Sequence, residues 1–397
     1  MEKTSFIPQE MLKEIGKAKH SLTIGLPKEN RQTEKRLALS PEAVDLICQA
    51  GHRVIVEKDA GLGINYSDAA YSEAGAFIVA TSAEVFQSDI VFKIAPPAER
   101  EILLMKNRAT VCSMLQLSAF SKETIQAMSQ KKLNAMGYEL LSDKQNDFPV
   151  RNSISEIEGA AAISVASELL TNEHGGKGIL MGGVPGVSPT EVVIVGAGIA
   201  GCTAARAALG LGAVVKVFDN DVGKLRNMQQ MLKQTLFTSV FHPKVVANAF
   251  RSADVVIGAM RYIDASVRYI ISEEVVRSMK KGSLVVDLRV NQGGCFETSC
   301  FLPEDHPQVY EKFGVLHYCV PNLSSRVART TSMALSNIFV PLIARIADAG
   351  GVSARAEASG EFRSGLFMYG GKTVNAYVAN YFNLPFYDIG LFLMPGR

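Results

Sequence analysis

One segment of this 397-residue chain limits its fold more than any other. In VVIVGAGIAGCTAARAALGLGAVVKVFDND, a run of Val and Ile precedes Gly196-x-Gly198-x-x-Gly201, and an Ala-rich stretch, a second apolar run and Asp219 follow. This order is typical of a strand, a helix and a second parallel strand. Gly196 then allows the tight turn, Gly198 the close approach of a phosphate group, and Gly201 the close packing of helix on strand. The spacing therefore predicts a dinucleotide-binding turn.

Asp219 is the acidic residue that such a site requires at the end of its second strand. There it would accept hydrogen bonds from the ribose hydroxyls. Its charge would repel a 2′-phosphate, so NAD is the expected cofactor rather than NADP. An Asp at the end of a strand can also be only a helix cap, and the sequence leaves that alternative open.

Short apolar runs alternate with helical stretches along the rest of the chain. Strands are predicted at residues 22–26 and 52–57, and Ser40 with Pro41 begins a helix between them, because Pro has no N–H to leave unbonded there. Further strands are predicted in DIVFKIAPP, RATVCSMLQL and LNAMGYEL, and then in EVVIVGAG, AVVKVFDND, ADVVIGAM, SLVVDLRV and GVLHYCV. Long helices are predicted in SEIEGAAAISVASELL and TSMALSNIFVPLIARIADAGG, and an amphipathic helix in residues 1–20. Such repetition predicts an α/β fold with two Rossmann-like, doubly wound parallel-sheet domains.

Composition excludes several classes of protein. The 41 Lys and Arg residues against 39 Asp and Glu give a net charge of +2, so neither nucleic acid nor an acidic membrane is an expected partner. The six cysteines form no CxxC pair and no metal-ligand spacing with the histidines, so no metal is expected. The N-terminus lacks a secretory pattern, and no apolar run reaches the roughly 20 residues of a spanning helix. A small-molecule partner and a cytoplasmic location are expected.

Three stretches carry a family resemblance. IGLPKENRQTEKRLALSPEAV, MGGVPGVSPTEVVIVGAGIAG and VNQGGCFETS, the last followed by HYCVPN, resemble alanine dehydrogenases and, more distantly, the NAD-binding component of proton-translocating transhydrogenases. The match runs in order from about Leu22 onward. The resemblance implies a substrate-side domain of residues 1–152 and 323–397, an NAD-binding Rossmann domain of residues 153–322, a cleft between the two, and a homo-oligomer, usually a hexamer.

The resemblance also assigns binding residues. Arg36 in EKRLALSP and Lys93 in VFKIAPP match the family's Arg and Lys that bind the carboxylate and carbonyl of pyruvate. An Arg fork suits a carboxylate, and a Lys suits a carbonyl or a developing oxyanion. Ser155 matches a family Ser near the cofactor, and Asn322 matches a residue that lines the same site. Either of these two could instead be a helix cap or a turn residue.

The two positions that move protons in the family differ here. Gln116 in MLQLSAF replaces the catalytic His, and Asn291 in VNQGGCFE replaces the catalytic Asp. Both replacements keep hydrogen-bonding capacity but remove the ability to exchange a proton near neutral pH. Each such group contributes about 10²–10⁴-fold to rate, so turnover is expected to be slower than in a member with His and Asp. Lys93, if burial lowers its pKa, is one alternative base.

Other departures lie nearby. The loop after VVIGAM reads Arg261-Tyr262-Ile263-Asp264, Arg289 lies two residues before Asn291, and Leu323-Ser324 replaces the family's Met-Pro. His317, in an apolar strand, is expected to be a hydrogen-bonded core histidine.

The resulting hypothesis is an NAD-dependent amino-acid dehydrogenase that interconverts L-alanine, NAD and water with pyruvate, ammonia and NADH. Two alternatives remain open from the sequence. One is a related NAD oxidoreductase with another substrate, and the other is a degenerate member that binds NAD(H) as a sensor or a non-catalytic subunit.

Overall fold

Two compact α/β units make up the molecule, as predicted. The computed structural model describes residues 20–260, 270–301 and 308–393. The first unit falls within residues 1–150 and 332–397, and the second within residues 151–331. Residues 1–19 of the predicted N-terminal helix and the Arg261–Asp264 loop lie outside the described residues.

The first unit contains an eight-stranded sheet. Its strands are β1 (Thr23–Leu26), β2 (Arg53–Glu57), β3 (Phe77–Val79), β4 (Ile90–Phe92), β5 (Thr110–Ser113), β6 (Asn134–Gly137), β14 (Leu366–Tyr369) and β15 (Lys372–Thr373). They lie in the order β15-β14-β6-β5-β4-β1-β2-β3. The strands from β6 to β3 are parallel, whereas β14 is antiparallel to both β6 and β15. The prediction of a parallel sheet is therefore right for the centre of this sheet and wrong for one edge.

The second unit contains a seven-stranded sheet. Its strands are β7 (Glu191–Val195), β8 (Val214–Phe218), β9 (Phe237–Ser239), β10 (Val255–Gly258), β11 (Leu284–Asp287), β12 (Val309–Lys312) and β13 (Val315–Tyr318). They lie in the order β12-β13-β11-β10-β7-β8-β9, and β12 alone among them is antiparallel to its neighbour. The central strands β7, β10 and β11 are almost entirely buried Val, Ile and Leu, because helices cover both faces of a doubly wound sheet.

Helices connect these strands. In the first part of the chain they are α1 (Pro41–Gln49), α2 (Asp68–Glu73), α3 (Ser82–Val85), α4 (Glu99–Leu104), α5 (Lys122–Gln130) and α6 (Pro149–Leu169). In the middle they are α7 (Ile199–Gly210), α8 (Val222–Leu232), α9 (Pro243–Ser252) and α10 (Glu273–Arg277). At the end they are α11 (Ala328–Ala349), α12 (Val352–Ala358), α13 (Gly360–Ser364), α14 (Ala376–Phe382) and α15 (Ile389–Phe392). The chain passes between the units inside α6 and inside α11.

The stretch Leu323–Ala349, which contains α11, is long and apolar enough to cross a membrane by length and composition alone, with a mean hydropathy of 1.3. Half of its most apolar window is buried within the protein, as in a core helix of a soluble protein. This stretch is therefore weak evidence for a membrane span.

Small residues bring helices α6 and α7 close together in the second unit. A Cβ at Gly159 would lie 2.2 Å from the carbonyl oxygen of Ala200, so only glycine fits there. The alanines of both helices then pack in the core around β7 and β10. This close packing fixes the start of α7, which begins inside the glycine-rich turn.

Candidate functional site

Charged and polar residues follow the carboxyl ends of four neighbouring strands in the first unit. Glu29 follows β1, Lys93 directly follows β4, Gln116 follows β5, and Glu139 follows β6. Because these strands are parallel and adjacent, their carboxyl ends lie along one edge of the sheet. This edge is the usual position of a ligand site in an open α/β sheet.

Lys93 is buried between two carboxylates. Its Nζ lies 3.3 Å from Oε2 of Glu29 and 3.0 Å from Oε1 of Glu101. Oε1 of Glu29 in turn accepts a hydrogen bond from the backbone N–H of Ile94 at 2.6 Å. Burial alone would lower the pKa of Lys93, but the attraction of the two glutamates outweighs burial and raises that pKa. The alternative that Lys93 acts as a base with a lowered pKa is therefore wrong.

Arg36 is buried as an ion pair on the loop before α1. Its Nε donates to Oε1 of Glu34 at 2.8 Å, and the guanidinium lies 2.7 Å from Oε2, which gives a two-point pair. The loop itself is held by Ser332 and Ser336 of α11, whose hydroxyls accept the backbone N–H groups of Leu37 and Ser40. Glu34 therefore fixes the orientation of the Arg36 guanidinium. Ser332 and Ser336 of α11 fix the position of the loop.

Gln116 is exposed at the start of a short 3₁₀ turn, Leu117–Ala119. In the part of the chain that the structure describes, its side chain makes no hydrogen bond. Gln116 is thus free to bond to a ligand.

Glu139 lies beside Gln116 on the next strand end. Its Oε1 accepts the backbone N–H of Leu115 at 2.6 Å. Its Oε2 is buried and has no hydrogen-bond donor in the described structure. Burial raises the pKa of this carboxyl to about 7.

The glycine-rich turn of the second unit has the geometry that the sequence predicts. Gly196 has φ +111, and a Cβ there would lie 2.8 Å from the backbone nitrogen of Met260. A Cβ at Gly201 would lie 1.9 Å from the carbonyl oxygen of Gly196. A Cβ at Gly198 would meet nothing within 4 Å, so open space lies in front of the N-terminus of α7. A pyrophosphate fits this open space and the dipole of the helix.

Asp219 is buried directly after β8 and binds two backbone N–H groups. Oδ2 accepts from Ala197 in the glycine turn at 2.7 Å, and Oδ1 accepts from Asp221 at 2.8 Å. The cap of α8 is Asp221, whose side chain accepts the N–H of Lys224. Asp219 is therefore not a helix cap, and its carboxylate lies next to the turn.

The loop after β11 carries Asn291. Asp287 holds this loop together, because its carboxylate accepts the backbone N–H groups of Arg289 and Cys295 at 2.8 and 2.7 Å. Asn291 lies exposed in the 3₁₀ turn Val290–Gln292. Arg289 is buried, and its Nε has no hydrogen-bond partner in the described ranges.

The chain is similar to known proteins over most of its length. Models of the alanine dehydrogenase/PNT N-terminal and C-terminal domains match residues 25–158 and 162–376. Alanine dehydrogenase of Methanococcus maripaludis is 37% identical over 92% of this chain and 98% of its own length. That of Bacillus subtilis is 36% identical over 90% and 92%. The chain belongs to the alanine dehydrogenase/PNT family.

Solved structures of the family support the same assignment. An L-alanine dehydrogenase superposes with a TM-score of 0.85 at 32% identity and covers 91% of this chain and 99% of its own. A transhydrogenase from Sinorhizobium meliloti superposes with a TM-score of 0.74 at 25% identity, over 89% and 99%. The predicted family and the predicted fold class are both confirmed.

Ser155 and Asn322 lie at different kinds of position in this family member. Ser155 is buried inside α6, six residues after its start, so it is not a helix cap. Asn322 has φ 63 and precedes the 3₁₀ turn Leu323–Val327, and its Oδ1 accepts the hydroxyl of Ser324. Asn322 is therefore a turn residue.

His317 is a fully buried core residue, as expected. Its two ring nitrogens lie 2.8 Å from the hydroxyl of Thr298 and 2.9 Å from the carbonyl oxygen of Val315. Burial lowers the pKa of His317 to about 4. Within the described residues, no group of three or more His, Cys, Asp or Glu side chains is arranged to hold a metal ion.

Sequence reasoning missed the glutamates at the edge of the first sheet. Glu29, Glu34 and Glu101 pair with the two predicted cations, and Glu139 adjoins Gln116. One signal was present: Glu139 lies near the carboxyl end of the predicted strand segment LNAMGYEL, where parallel sheets place functional residues. The other three are revealed only by their ion pairs in the folded structure.

Proposed function

We propose that this chain is an NAD-dependent amino-acid dehydrogenase of the alanine dehydrogenase type, which interconverts L-alanine, NAD and water with pyruvate, ammonia and NADH. The observation that carries the proposal is the pair of buried, oriented cations, Arg36 and Lys93, in the first unit of a chain that matches alanine dehydrogenases over nearly its whole length. Burying a charge costs free energy unless an opposite charge and hydrogen bonds compensate for the lost hydration. Here both cations have partners that fix their orientation.

The cofactor would bind to the second unit. Gly196, Gly198 and Gly201 form the turn that holds the pyrophosphate, and Asp219 accepts the hydroxyls of a ribose. A carboxylate offers about four lone-pair sites, so Asp219 can accept from the two backbone N–H groups and from a ribose together. Ser155 and Asn322 would line the same site.

Arg36 and Lys93 would hold the substrate. The Arg36 guanidinium binds the carboxylate, and Lys93, kept protonated by Glu29 and Glu101, stabilises negative charge on the carbonyl oxygen. Gln116 and Asn291 occupy the positions of the family's His and Asp, and both would contribute hydrogen bonds to the reacting groups. NAD, when bound, accepts the hydride from the substrate Cα.

An NADH-linked assay tests this function. Wild-type protein is expected to oxidise NADH only when a 2-oxo acid and ammonia are both present, with pyruvate among the best acids. Arg36→Gln is expected to lose saturation by the 2-oxo acid while NADH binding, measured by fluorescence, stays within a factor of about two. The wild-type circular dichroism spectrum serves as the control for folding of the variant. No oxidation of NADH with any 2-oxo acid would contradict the proposal.

A second candidate is a family member that binds NAD(H) without turnover, as a sensor or a non-catalytic subunit. The exposed amides of Gln116 and Asn291 favour it, because neither amide can exchange a proton at neutral pH. Tight NADH binding without activity on any amino acid would select this candidate. Activity on an amino acid other than alanine would instead indicate a related oxidoreductase.

The proposal includes a cytoplasmic homo-oligomer, a hexamer by family resemblance. Exposed apolar side chains on α14 and after it, Tyr377, Tyr381, Phe386 and Leu391, are the kind of surface that self-association covers. Light scattering of the purified protein measures the mass directly.

A further inference from the structure

One carboxyl oxygen at the edge of the first sheet is buried without a hydrogen bond. Oε1 of Glu139 accepts the backbone N–H of Leu115 at 2.6 Å, but Oε2 meets no donor in the described structure. Buried polar atoms are satisfied in the great majority of cases, so an exception needs an explanation. A structural clamp on Leu115 would use one oxygen and would leave the burial of the other unexplained.

The position of Glu139 is fixed by the pairing of two strands. Ser113 of β5 pairs with Gly137 of β6, so the residues after them leave the sheet side by side. Gly137 has no side chain, and a Cβ there would lie 2.8 Å from Cβ of Leu115. Glycine therefore allows the β5 end to approach closely, and Glu139 then lies beside the residue that directly precedes Gln116.

The same edge carries the proposed substrate cation. The N–H of Met114 and the hydroxyl of Tyr138 both donate to the carbonyl oxygen of Ile94, which directly follows Lys93. Glu139 is thus one strand end beyond Gln116 and two strand ends from Lys93, and the neighbouring Tyr138 reaches the residue that follows Lys93.

The charged groups near Glu139 do not neutralise it. Arg36, Glu34 and Glu29 act electrostatically on the neighbouring Tyr138, but Arg36 is paired with Glu34, and Glu29 with Lys93. Burial raises the pKa of Glu139 to about 7, opposed by the hydrogen bonds from its own backbone and from Leu115. Such a group exchanges protons most effectively near neutral pH.

We propose that Glu139 is the proton-transfer group of the dehydrogenase reaction and performs the task that Gln116 cannot perform. The inference rests on the proposed function and names a catalytic residue for it. Gln116 then serves as a neutral hydrogen-bonding neighbour.

The step involved is the hydrolysis of the imine that forms when hydride leaves Cα. Water attacks the carbon of the protonated imine, a C–O bond forms, the C=N π electrons move to nitrogen, and the Glu139 carboxylate takes one proton from the water. Glu139 then returns that proton to the amine nitrogen, the C–N bond breaks, and ammonia leaves. The remaining hydroxyl proton goes to solvent or to ammonia, and the 2-oxo acid results. The carboxyl group is unchanged at the end.

The test compares Glu139→Gln with a matched control, Glu57→Gln. Glu57 ends β2 of the same sheet, and its Oε2 accepts the backbone N–H of Lys28 at 2.9 Å, so it makes the same kind of clamp away from Lys93. The glutamine retains a carbonyl oxygen for the backbone bond in both variants. Alanine oxidation is measured as kcat against pH.

Wild type is expected to show a rise of kcat with pH through an apparent pKa near 7. Glu139→Gln should lower kcat by about 10²–10⁴-fold, lose this rise and bind NADH as wild type does. Glu57→Gln should keep both the rate and the pH profile. Adding Gln116→His to Glu139→Gln should recover at least tenfold of the lost rate, because it supplies a proton-transfer group beside the same position.

Three results would overturn the assignment of Glu139. If Glu139→Gln keeps the wild-type rate and pH profile, Glu139 is only a clamp, and the proposed function stands without it. If wild type oxidises no amino acid, the proposed function fails and the role of Glu139 fails with it. Should Glu139→Gln not fold, Glu139→Asp retains a carboxyl and is expected to keep the rise of kcat with pH at a reduced rate. Loss of that rise in a folded Glu139→Asp protein would contradict the proposal.

Discussion

The carboxylate of Asp219 holds the glycine turn and is also proposed to bind the ribose of the cofactor. It accepts the N–H of Ala197 inside the glycine turn and the N–H of Asp221 before α8. Both bonds fix the position of the Asp219 carboxylate beside the turn. The negative charge that would exclude a 2′-phosphate is therefore held in place by the turn itself.

Wild-type protein is expected to bind NADH at least tenfold more tightly than NADPH, a difference of about 1.4 kcal/mol. Asp219→Ala should weaken NADH binding, since the turn loses an acceptor, and should reduce the ratio of the two affinities. Asp221→Ala, which removes a neighbouring carboxylate from the cap of α8, should leave the ratio unchanged. The measurement is fluorescence titration with both cofactors. Equal affinity of wild type for NADH and NADPH would remove the role assigned to Asp219.

Lys93 illustrates which part of a site the sequence can predict. Its type and position after an apolar strand follow from the pattern and the family resemblance. Its protonation state does not, because Glu29 is 64 residues earlier in the chain and pairs with it only after β1 and β4 have paired. The sequence alone left a lowered pKa of Lys93 open as one alternative, and the ion pairs raise that pKa instead.

Secondary structure was predictable for the central strands of the second sheet, whereas the buried strand β14 was not predicted. The runs of Val and Ile in β7, β10 and β11 identify these strands without further information. The short strands β3, β9 and β15 were missed, because a half-exposed segment of two or three residues becomes a strand only through its partner. Helix α6 begins at Pro149, six residues before the predicted SEIEG start, since Pro is well suited to a first helical position.

The glycines of the turn before α7 separate the requirements of folding from those of the cofactor. Gly201→Ala places a Cβ 1.9 Å from the carbonyl oxygen of Gly196 and is expected to destabilise the second unit by about 1–3 kcal/mol. Gly198→Ala meets nothing within 4 Å and should change stability by less than about 0.5 kcal/mol. NADH affinity should nevertheless fall at least tenfold in Gly198→Ala, because the methyl group occupies the space of the pyrophosphate. Urea unfolding and NADH titration check the two effects, and unchanged NADH affinity in Gly198→Ala would count against a cofactor in that space.

Strand β13 should lose stability as the pH falls. His317 has a pKa of about 4 when folded, below its ordinary 6.5, because burial penalises its charged form. The unfolded chain therefore takes up a proton between pH 6.5 and 4 that the folded chain refuses. The free energy of unfolding should fall across this range, by up to about 3 kcal/mol.

Native-state hydrogen exchange of the β13 amides measures this loss. His317→Gln, which can still bond to Thr298, should flatten the dependence on pH. His174→Gln, at an exposed position, should not alter it. A β13 opening free energy that is the same at pH 4.5 and 7 in wild type would contradict the pKa assigned to His317.

At the scale of the whole molecule, the first unit is built from both ends of the chain and the second from its middle. The family resemblance implies this arrangement. Composition and periodicity do not predict it, because both units show the same alternation of strands and helices. The proposed substrate cations belong to the first unit and the glycine turn to the second. Ligands should therefore act on the two units unequally.

NADH is expected to stabilise the second unit selectively. At a free concentration of 100 times its Kd, a ligand that binds only the folded state adds about 2.7 kcal/mol to the free energy of unfolding. Because a two-domain chain need not unfold in one step, hydrogen exchange read separately for β7 and β10 and for β4 and β5 is the appropriate measurement. The free energy of opening measured by hydrogen exchange should rise by about 2.7 kcal/mol at β7 and β10. It should rise by less at β4 and β5. Gly198→Ala, studied at the same NADH concentration, should show a smaller rise. A rise confined to β4 and β5 would place the cofactor on the first unit and overturn the assignment of the glycine turn.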